Sequence, residues 1–269
     1  MIFEVVAMQT VTALRRYPLK SARGEALEAV DVEPGGLRGD RIWACIDRVD
    51  GTVGSAKHPA RWGRLLDVGT RLQDDVPDPM LIVEVDGTAV RAGSADADAA
   101  LSDYLGRPMR LSRDIPPDAR LHRRLPDEVG MLPEWMDGVL PGQETVTAME
   151  VGAVHIVTTG ALSLLRQRMG RADVAAVRFR PNLVVDAPQD PELGQELRIG
   201  EVVLRVTMPT PRCVVPGLRH AELPPDRSVL TALARHYRIP VGGLGRAACF
   251  GTYAEVVQPG RLQLGQPVR

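Results

Sequence analysis

Short runs in which apolar and polar residues alternate recur along the chain, and they predict β-strands. Residues 81–91 place two such runs around Asp86-Gly87, and residues 197–206 place two around Gly200. Because glycine tolerates the positive φ of a tight turn, each pair of runs predicts a β-hairpin. A further hairpin is predicted where Arg41–Asp47 leads into Asp50-Gly51, and a last strand at Thr252–Val257.

Apolar residues at helical spacing predict fewer elements. The predicted helices are Asp96–Leu105, which stops at Gly106, Thr159–Met169, which is followed by Gly170, and Asp226–Tyr237, with Asp226 as the N-cap. The strands do not alternate with these helices in a βαβ pattern. We therefore expect a mainly β fold with a few covering helices, of the α+β class, and not a doubly wound sheet.

Residues 114–147 have no periodicity of their own and are rich in proline. A stretch of this length is a linker or a functional loop. We place a soft boundary between residues 110 and 150, and we expect one unit at 1–112 and a second at 113–269. The loop, with Trp135, is a candidate cover for a substrate opening; the alternative is a plain crossover between the two units.

Composition narrows the classes of partner. The chain has 269 residues, a formal net charge of −1 and 4% aromatic residues. A neutral chain with few aromatics and no basic patch interleaved with them is a poor candidate for nucleic-acid binding. No apolar run of about 18 residues is present, so no membrane span is expected. The N-terminal residues lack the pattern of a signal peptide.

The three cysteines, Cys45, Cys213 and Cys249, are too few and too scattered for a disulfide framework or a cysteine-rich zinc site. A four-cysteine iron–sulfur cluster held by this chain is likewise excluded. We expect a reducing, cytoplasmic setting. The five histidines show no metal-ligand spacing and receive no role, although His220 follows Cys213 closely enough to be considered as a proton donor.

Two segments near the N-terminus place donors on turns. Tyr17–Gly24 follows a predicted strand and carries Lys20, Ser21 and Arg23. Gly35–Arg41 places flexible glycines before a strand that begins at Arg41, beside Asp40, which could orient it. Each segment alone is typical of a solvated turn.

A third segment, Val177–Val185, contains two arginines that alternate with apolar residues. The alternation predicts that Arg178 and Arg180 share one face of a strand, and Pro181 predicts extended backbone at Arg180. Asn182 follows as both donor and acceptor. Guanidinium groups suit a phosphate and an amide suits a heteroaromatic edge, so the segment indicates an anionic heteroaromatic ligand or an exposed basic face.

The fourth segment, Met208–Pro216, sets Cys213 next to Arg212 in a proline-rich loop after a strand. A neighbouring arginine favours the thiolate, which ligates soft metals or attacks as a nucleophile. Cys45 and Cys249 lie among apolar neighbours and fit the ordinary role of small core residues.

Taken in order, these segments resemble the MOSC family, in the two-part form of an N-terminal MOSC β-barrel followed by a MOSC domain. That form is found in the mitochondrial amidoxime-reducing component and its bacterial relatives. The similar stretches are Tyr17–Ser21, Gly36–Trp43, Phe179–Val185, Leu197–Gly200, Arg212-Cys213 and Phe250–Tyr253. The resemblance implies a MOSC-type β-barrel with an N-terminal β-barrel-like subdomain at 1–112 and the MOSC domain at 113–269.

The resemblance also implies a molybdenum–molybdopterin cofactor. Cys213 falls where the family's metal-ligating cysteine falls, and it is the implied catalytic residue. The residues at the family's cofactor-binding positions are Lys20, Ser21, Arg41, Thr158, Thr159, Arg180, Asn182 and Arg212. Thr158 and Thr159 precede a predicted helix, whose N-terminus would offer free N–H groups to an anion.

The implied activity is reduction of an N-oxygenated small molecule, such as an N-hydroxylated amidine or hydroxylamine. Electrons would come from a separate flavin or iron–sulfur protein. The run after Cys213 departs from the amidoxime reductases, which keeps two alternatives open: a sulfur carrier with a persulfide on Cys213, and a protein of carbon–sulfur bond chemistry without molybdenum. A purely structural or protein-binding role is the remaining alternative.

Overall fold

The computed structural model of the chain describes residues 8–73, 79–116, 118–122, 145–147, 152–241 and 246–269. The proposed covering loop and Trp135 lie outside these residues. The strands are β1 Val11–Arg16, β2 Glu25–Ala26, β3 Ala29–Glu33, β4 Gly36–Leu37, β5 Ala44–Asp47, β6 Gly69–Gln73, β7 Met80–Val85, β8 Thr88–Arg91, β9 Met109–Ser112, β10 Arg120–His122, β11 Thr145–Thr147, β12 Val154–Thr158, β13 Leu183–Val185, β14 Glu196–Ile199, β15 Val202–Pro211, β16 Arg238–Pro240, β17 Arg246–Gln258 and β18 Gly260–Gln263. The helices are α1 Pro59–Trp62, α2 Ala95–Leu105, α3 Thr159–Met169 and α4 Arg227–His236.

The largest sheet joins both ends of the chain. Its order is β14-β15-β17-β12-β13-β1-β2, and β16 pairs with β17 beside this path. The smaller sheets are β18-β3-β4, β6-β7-β8, β5-β9 and β10-β11. The mainly β, α+β class is confirmed. The first two strands therefore belong to the same sheet as the strands that carry the third and fourth sequence segments.

One connection differs from the expectation of no βαβ unit. β12 and β13 are parallel, with Ile156 opposite Leu183, and α3 lies between them in the chain. A parallel neighbour needs a crossover, and an amphipathic helix supplies one here. Strands as short as β13 leave a weak periodic signal, so this single unit was not predicted; the other strand pairs of the large sheet are antiparallel, as expected for a sheet that is not doubly wound.

The predicted hairpins at 81–91 and 197–206 are confirmed as β7-β8 and β14-β15. The predicted turn at Asp50-Gly51 is confirmed by an antiparallel Ile46–Val53 bridge, with the Asp47 N–H donating to the Thr52 carbonyl at 2.9 Å, but the strand that pairs along the length of β5 is β9. The helix ends are confirmed. Gly106 and Gly170 adopt left-handed backbone after α2 and α3, and the Asp226 side chain accepts the Ser228 N–H at the start of α4.

Buried apolar residues form separate clusters on the two sides of the large sheet and under the N-terminal strands. One cluster packs around Ile156 and Leu204, a second around Phe179 and Phe250 beneath α3 and α4, and a third around Trp62. None of the helices among the described residues is both long and apolar enough to cross a bilayer.

Candidate functional site

Tyr17 joins three of the four segments. It follows β1 directly and is fully buried. Its hydroxyl donates to the carbonyl of Pro181 at 3.1 Å, and its N–H donates to the Asp40 carboxylate at 2.7 Å. Burial raises the pKa of Tyr17, so the phenol stays protonated and keeps donating. The Tyr17 contacts therefore fix the first, second and third segments relative to one another.

Two arginines predicted to bind cofactor lie over the ring of Tyr17. The guanidinium carbon of Arg180 is 4.2 Å from the ring centroid, and that of Arg41 is 5.1 Å away. Arg180 also donates to the carbonyl of Ala22 at 2.6 Å, and Arg41 forms an ion pair with Asp40. Asp40 thus orients Arg41, as the sequence predicted, and the aromatic ring positions both charges.

Asn182 is almost completely buried at the start of β13. Its side-chain oxygen accepts the backbone N–H of His155 at 3.1 Å and faces a guanidinium nitrogen of Arg41 at 3.4 Å. Its side-chain nitrogen donates to the carbonyl of Arg15 at 3.2 Å. Asn182 therefore ties β1, β12 and Arg41 together with one amide.

His155 was assigned no role from the sequence, and it lies between Arg180 and Arg212. Its Nδ1 is 3.3 Å from the carbonyl of Arg180, and its Nε2 is 3.4 Å from a guanidinium nitrogen of Arg212. A carbonyl only accepts, so Nδ1 carries the proton and Nε2 is the acceptor. Burial first, and then the Arg212 charge, hold the pKa of His155 well below its usual 6.5, so the ring stays neutral.

Arg212 is held by backbone at the end of β15. Its N–H donates to the carbonyl of Ala248 at 2.8 Å, and its guanidinium donates to the carbonyl of Phe179 at 2.8 Å. Burial lowers the pKa of Arg212. Among the described residues, the buried Nε of Arg212 and the buried Oγ1 of Thr210 have no hydrogen-bond partner. Other buried side chains also carry such atoms, and these two lie on the residues that lead to Cys213.

Cys213 follows at the end of β15 as a half-buried free thiol. It packs beside Ala56, Leu66 and Val215. The backbone N–H of Ala56 donates to the Ser21 hydroxyl at 3.0 Å, so the first segment reaches the surroundings of Cys213. Cys45 and Cys249 are buried, as predicted, and burial raises the pKa of both thiols.

Left-handed backbone is concentrated in these loops. Ser21, Arg41 and Arg180 have φ values of 65°, 54° and 55°. For residues with a Cβ this region costs on the order of 1–2 kcal/mol each. Strain of this kind persists at functional sites, where the surrounding structure imposes it. Three of the predicted cofactor-binding residues therefore keep their side chains at positions that glycine would occupy more favourably.

The third segment is not the predicted strand. Residues Ala176–Phe179 form a short 3-10 turn, and Arg180 is left-handed and not extended. The turn sends the two arginines apart. Arg178 is buried and donates to the carbonyls of Leu218 at 3.0 Å and Pro224 at 2.7 Å. Arg178 therefore holds the chain after Cys213, while Arg180 lies beside Tyr17 and His155.

Thr158 and Thr159 hydrogen-bond carboxylates at the start of α3. The Thr158 hydroxyl accepts the Ala161 N–H as the N-cap of α3 and donates to the Asp190 carboxylate at 2.8 Å. The Thr159 hydroxyl donates to Asp186 at 2.7 Å. Because two carboxylates already occupy the start of α3, its N-terminus is a poorer site for an anion than the sequence analysis expected.

Lys20 and His220, the two remaining candidates from the sequence, are both largely buried. Lys20 lies on the loop of Ser21, is largely buried, and its N–H donates to the carbonyl of Trp43 at 2.8 Å. His220 directs Nε2 at the carbonyl of Val215, 2.9 Å away, and burial lowers its pKa to about 4. A histidine that is neutral and already bonded at neutral pH is a poor proton donor for chemistry at Cys213.

Two family models match this chain, one in each part. The family model for the MOSC N-terminal beta barrel domain matches residues 8–96, and that for the MOSC domain matches residues 143–269. Mitochondrial amidoxime-reducing component 1 of mouse is 23% identical over 96% of this chain and 81% of its own length, and the human protein is 23% identical over 96% and 82%.

Solved structures give weaker likenesses. The YuaD protein from Bacillus subtilis aligns over 97% of this chain and 94% of its own, with a TM-score of 0.45 and 12% identity. YiiM from Geobacillus stearothermophilus aligns over 44% of this chain and 53% of its own, with a TM-score of 0.32 and 21% identity. The two family models together span most of the chain, and the chain belongs to the MOSC family, with a MOSC N-terminal beta barrel domain followed by a MOSC domain.

Proposed function

We propose that this protein binds a molybdenum–molybdopterin cofactor and reduces N-oxygenated small molecules with electrons from a separate protein. The observation that carries the proposal is the convergence of Arg41, Arg180, Asn182 and Arg212 around Tyr17 and His155, at the base of the segment that bears Cys213. These residues are far apart in sequence, so random surface charge does not explain their meeting.

The site has the chemistry of a receptor for this cofactor. Three guanidinium groups would neutralise the charge of an anionic pterin phosphate. The Nε of Arg212 and the hydroxyl of Thr210 are buried donors without an acceptor. A molybdenum centre with sulfur ligands is soft, and a thiolate is the protein ligand it prefers. Among the described residues, no three His, Cys, Asp or Glu side chains are placed to hold a metal together. Cys213 would therefore be the one protein ligand drawn from them.

Each residue then has a stated task. Cys213 would supply the sulfur ligand, and Arg212, the residue before it, anchors the segment through its bond to the Phe179 carbonyl. Arg41 and Arg180, held by Tyr17 and Asp40, neutralise the anionic cofactor, while Asn182 and neutral His155 hold the arginines in place. Ser21 and Lys20 bring the first loop to the same site. We assign Thr158 and Thr159, whose hydroxyls bond Asp190 and Asp186, to the edge of the site. When bound, the cofactor supplies two-electron redox chemistry.

The substrate class and the donor follow from the relatives. The mouse and human proteins are amidoxime-reducing components, which supports N-hydroxylated amidines and hydroxylamines as substrates here. No cysteine-rich cluster motif is present in the sequence, so we assign electron delivery to a separate flavin or iron–sulfur protein. We place the protein in the cytoplasm, since its three cysteines are free thiols.

The test is the metal and pterin content of protein made in a host that synthesises the cofactor. We expect about one molybdenum and one pterin per chain, and loss of molybdenum in Cys213→Ser. Cys45→Ala, at a cysteine of the N-terminal core, is the matched control and should keep its metal. Neither group above background in the wild-type protein, or full molybdenum in Cys213→Ser, would overturn the proposal.

One observation favours a second function. Cys213 is a half-buried free thiol beside an arginine, which also suits a persulfide. A sulfur carrier, or an enzyme of carbon–sulfur bonds, would use the thiolate as nucleophile without molybdenum. Stoichiometric persulfide on Cys213 in metal-free protein, measured by intact mass before and after thiol reduction, would support this function.

A further inference from the structure

Basic residues are concentrated in one part of an otherwise neutral chain. Residues 227–254 contain four arginines and His236 and no aspartate or glutamate. The second half of α3 adds Arg168. We define the basic face as Arg168, Arg235, His236, Arg238 and Arg246. With a net charge of −1 over the whole chain, the clustering is a property of this face and not of the composition.

The residues of the basic face are contiguous in space. Arg168 at the end of α3 donates to the carbonyl of His236 at 3.2 Å, and its guanidinium carbon is 4.7 Å from the Tyr237 ring. On the neighbouring β16-β17 pair, Arg246 donates to the carbonyl of Arg238 at 2.8 Å, and Arg238 donates back at 3.3 Å. The basic face therefore extends from the C-terminal ends of α3 and α4 onto the β16-β17 pair.

Within the described residues, none of Arg168, Arg235 and Arg246 forms an ion pair with a carboxylate. Elsewhere on the surface, Arg205 pairs with Glu196 and Glu255, and Arg261 pairs with Asp31. The helix dipole accounts for a basic residue in the last turn of α4, but Arg246 lies on a strand, where no such dipole acts.

The basic face connects directly to the proposed metal-binding segment. β17 carries Arg246 and, two residues later, Ala248, whose carbonyl accepts the N–H of Arg212 at 2.8 Å. Cys213 is the next residue. The route from Arg246 to Cys213 thus follows two peptide units of β17, one interstrand hydrogen bond and one further peptide unit. Cys249 extends the connection, since its N–H donates to the carbonyl of Tyr237 at 3.0 Å.

We propose that the basic face is the docking surface for an acidic electron-transfer protein with a flavin or iron–sulfur centre. The proposal rests on the function proposed above. Each turnover there takes two electrons and two protons, breaks the N–O bond of the substrate and releases water. A docked flavin protein supplies both electrons at once, and an iron–sulfur protein supplies them one at a time in two successive dockings. Exposed Ile239 and half-buried Tyr237 beside the arginines give the mixed apolar and basic composition typical of protein interfaces.

The experiment compares two pairs of charge reversals in the cofactor-loaded protein. The double variant Arg235→Glu, Arg246→Glu alters the basic face. Arg198→Glu, Arg261→Glu makes the same change of net charge at exposed arginines on β14 and β18. The probes are a reduced [2Fe–2S] ferredoxin, as an acidic protein donor, and reduced methyl viologen, as a small donor that needs no docking.

We expect kcat/KM for ferredoxin to fall at least tenfold in the face variant and less than twofold in the control. The decline of kcat/KM with ionic strength should be steep in the wild-type protein and shallow in the face variant. Turnover with methyl viologen should be the same in all three proteins. Equal losses in the face and control variants, or an equal loss with methyl viologen, would overturn the docking surface.

Binding of oxidised ferredoxin, measured by calorimetry, separates this proposal from the proposed function. If the wild-type protein turns over no substrate with either donor but ferredoxin binding depends on the basic face, the function is wrong and the docking surface stands. Turnover with methyl viologen without ferredoxin binding would overturn the docking surface alone. Tighter binding of duplex DNA or of anionic lipid vesicles than of ferredoxin would also overturn it.

Discussion

Replacing Arg178 and Arg212 separately by methionine would distinguish a structural arginine from a ligand-binding one. The sequence places both in similar basic segments, yet their surroundings differ. Arg178 is 3% exposed and donates to the carbonyls of Leu218 and Pro224, with Pro216 at 3.4 Å. The Arg212 side chain makes one hydrogen bond shorter than 3 Å, to the carbonyl of Phe179, and buries an unpaired Nε.

The expected magnitudes follow from these contacts. A hydrogen bond to a charged group contributes about 1.5–3 kcal/mol, so the two short bonds of Arg178 give a loss of about 3 kcal/mol in Arg178→Met. For a chain of this length that lowers the thermal midpoint by roughly 6–12 °C. In Arg212→Met, the lost bond is offset by relief of the unpaired buried nitrogen, about 1–3 kcal/mol, so the net change is close to zero.

Thermal unfolding of the metal-free proteins, followed by circular dichroism, measures the change in stability. The pterin and molybdenum content of variants made in a cofactor-producing host measures cofactor binding. We expect Arg178→Met to be destabilised, with faster amide exchange at residues 214–224, and Arg212→Met to be stable but depleted of cofactor. A stable Arg178→Met that loses cofactor, or an Arg212→Met destabilised as much as Arg178→Met, would refute the assignment of the two roles.

Three further outcomes are expected. Ser21→Gly should be about 1 kcal/mol more stable than Ser21→Ala in urea unfolding of the metal-free protein, because both lose the hydroxyl that accepts the Ala56 N–H and only glycine relieves the left-handed backbone; equal stabilities would contradict the strain. Burial lowers the pKa of His220 to about 4. The contribution of the neutral ring to the free energy of unfolding, about 3 kcal/mol, is therefore complete above pH 6.5 and is lost as the pH falls towards 4, because the unfolded state takes up the proton first. The urea midpoint should therefore fall from pH 7 to pH 4.5 less in His220→Gln than in the wild-type protein. Thr158→Ala should cost about 1 kcal/mol through the lost N-cap and leave cofactor content unchanged; depletion would return Thr158 to the binding site.

Local signals in the sequence were sufficient for the elements whose ends are set by single residues. Gly106 and Gly170 mark the ends of α2 and α3, and Asp226 marks the start of α4, because capping is satisfied within a few residues of the chain. The hairpin at Asp86-Gly87 followed from the same kind of local rule. The division into units at residue 112 stays a prediction.

Local signals failed where a distant segment supplies the partner. Alternation around Arg178 predicted a strand, but the buried carbonyls of residues 216–224 hold the side chain in a 3-10 turn. The histidines lacked metal spacing, so His155 received no role. Its role depends on Arg180 and Arg212, which β13 and β15 bring to either side of its ring.

The sequence by itself determined the composition of the site: a cysteine beside an arginine, two more arginines on glycine- and proline-containing loops, and an amide, each within a short recognisable segment. Only the tertiary structure decided which of these side chains meet. The physical reason is that hydrogen bonding of a buried polar group is a property of its neighbours in space. Arg180 and Arg178 are two residues apart, yet Arg180 lies in the site and Arg178 hydrogen-bonds the chain that follows Cys213.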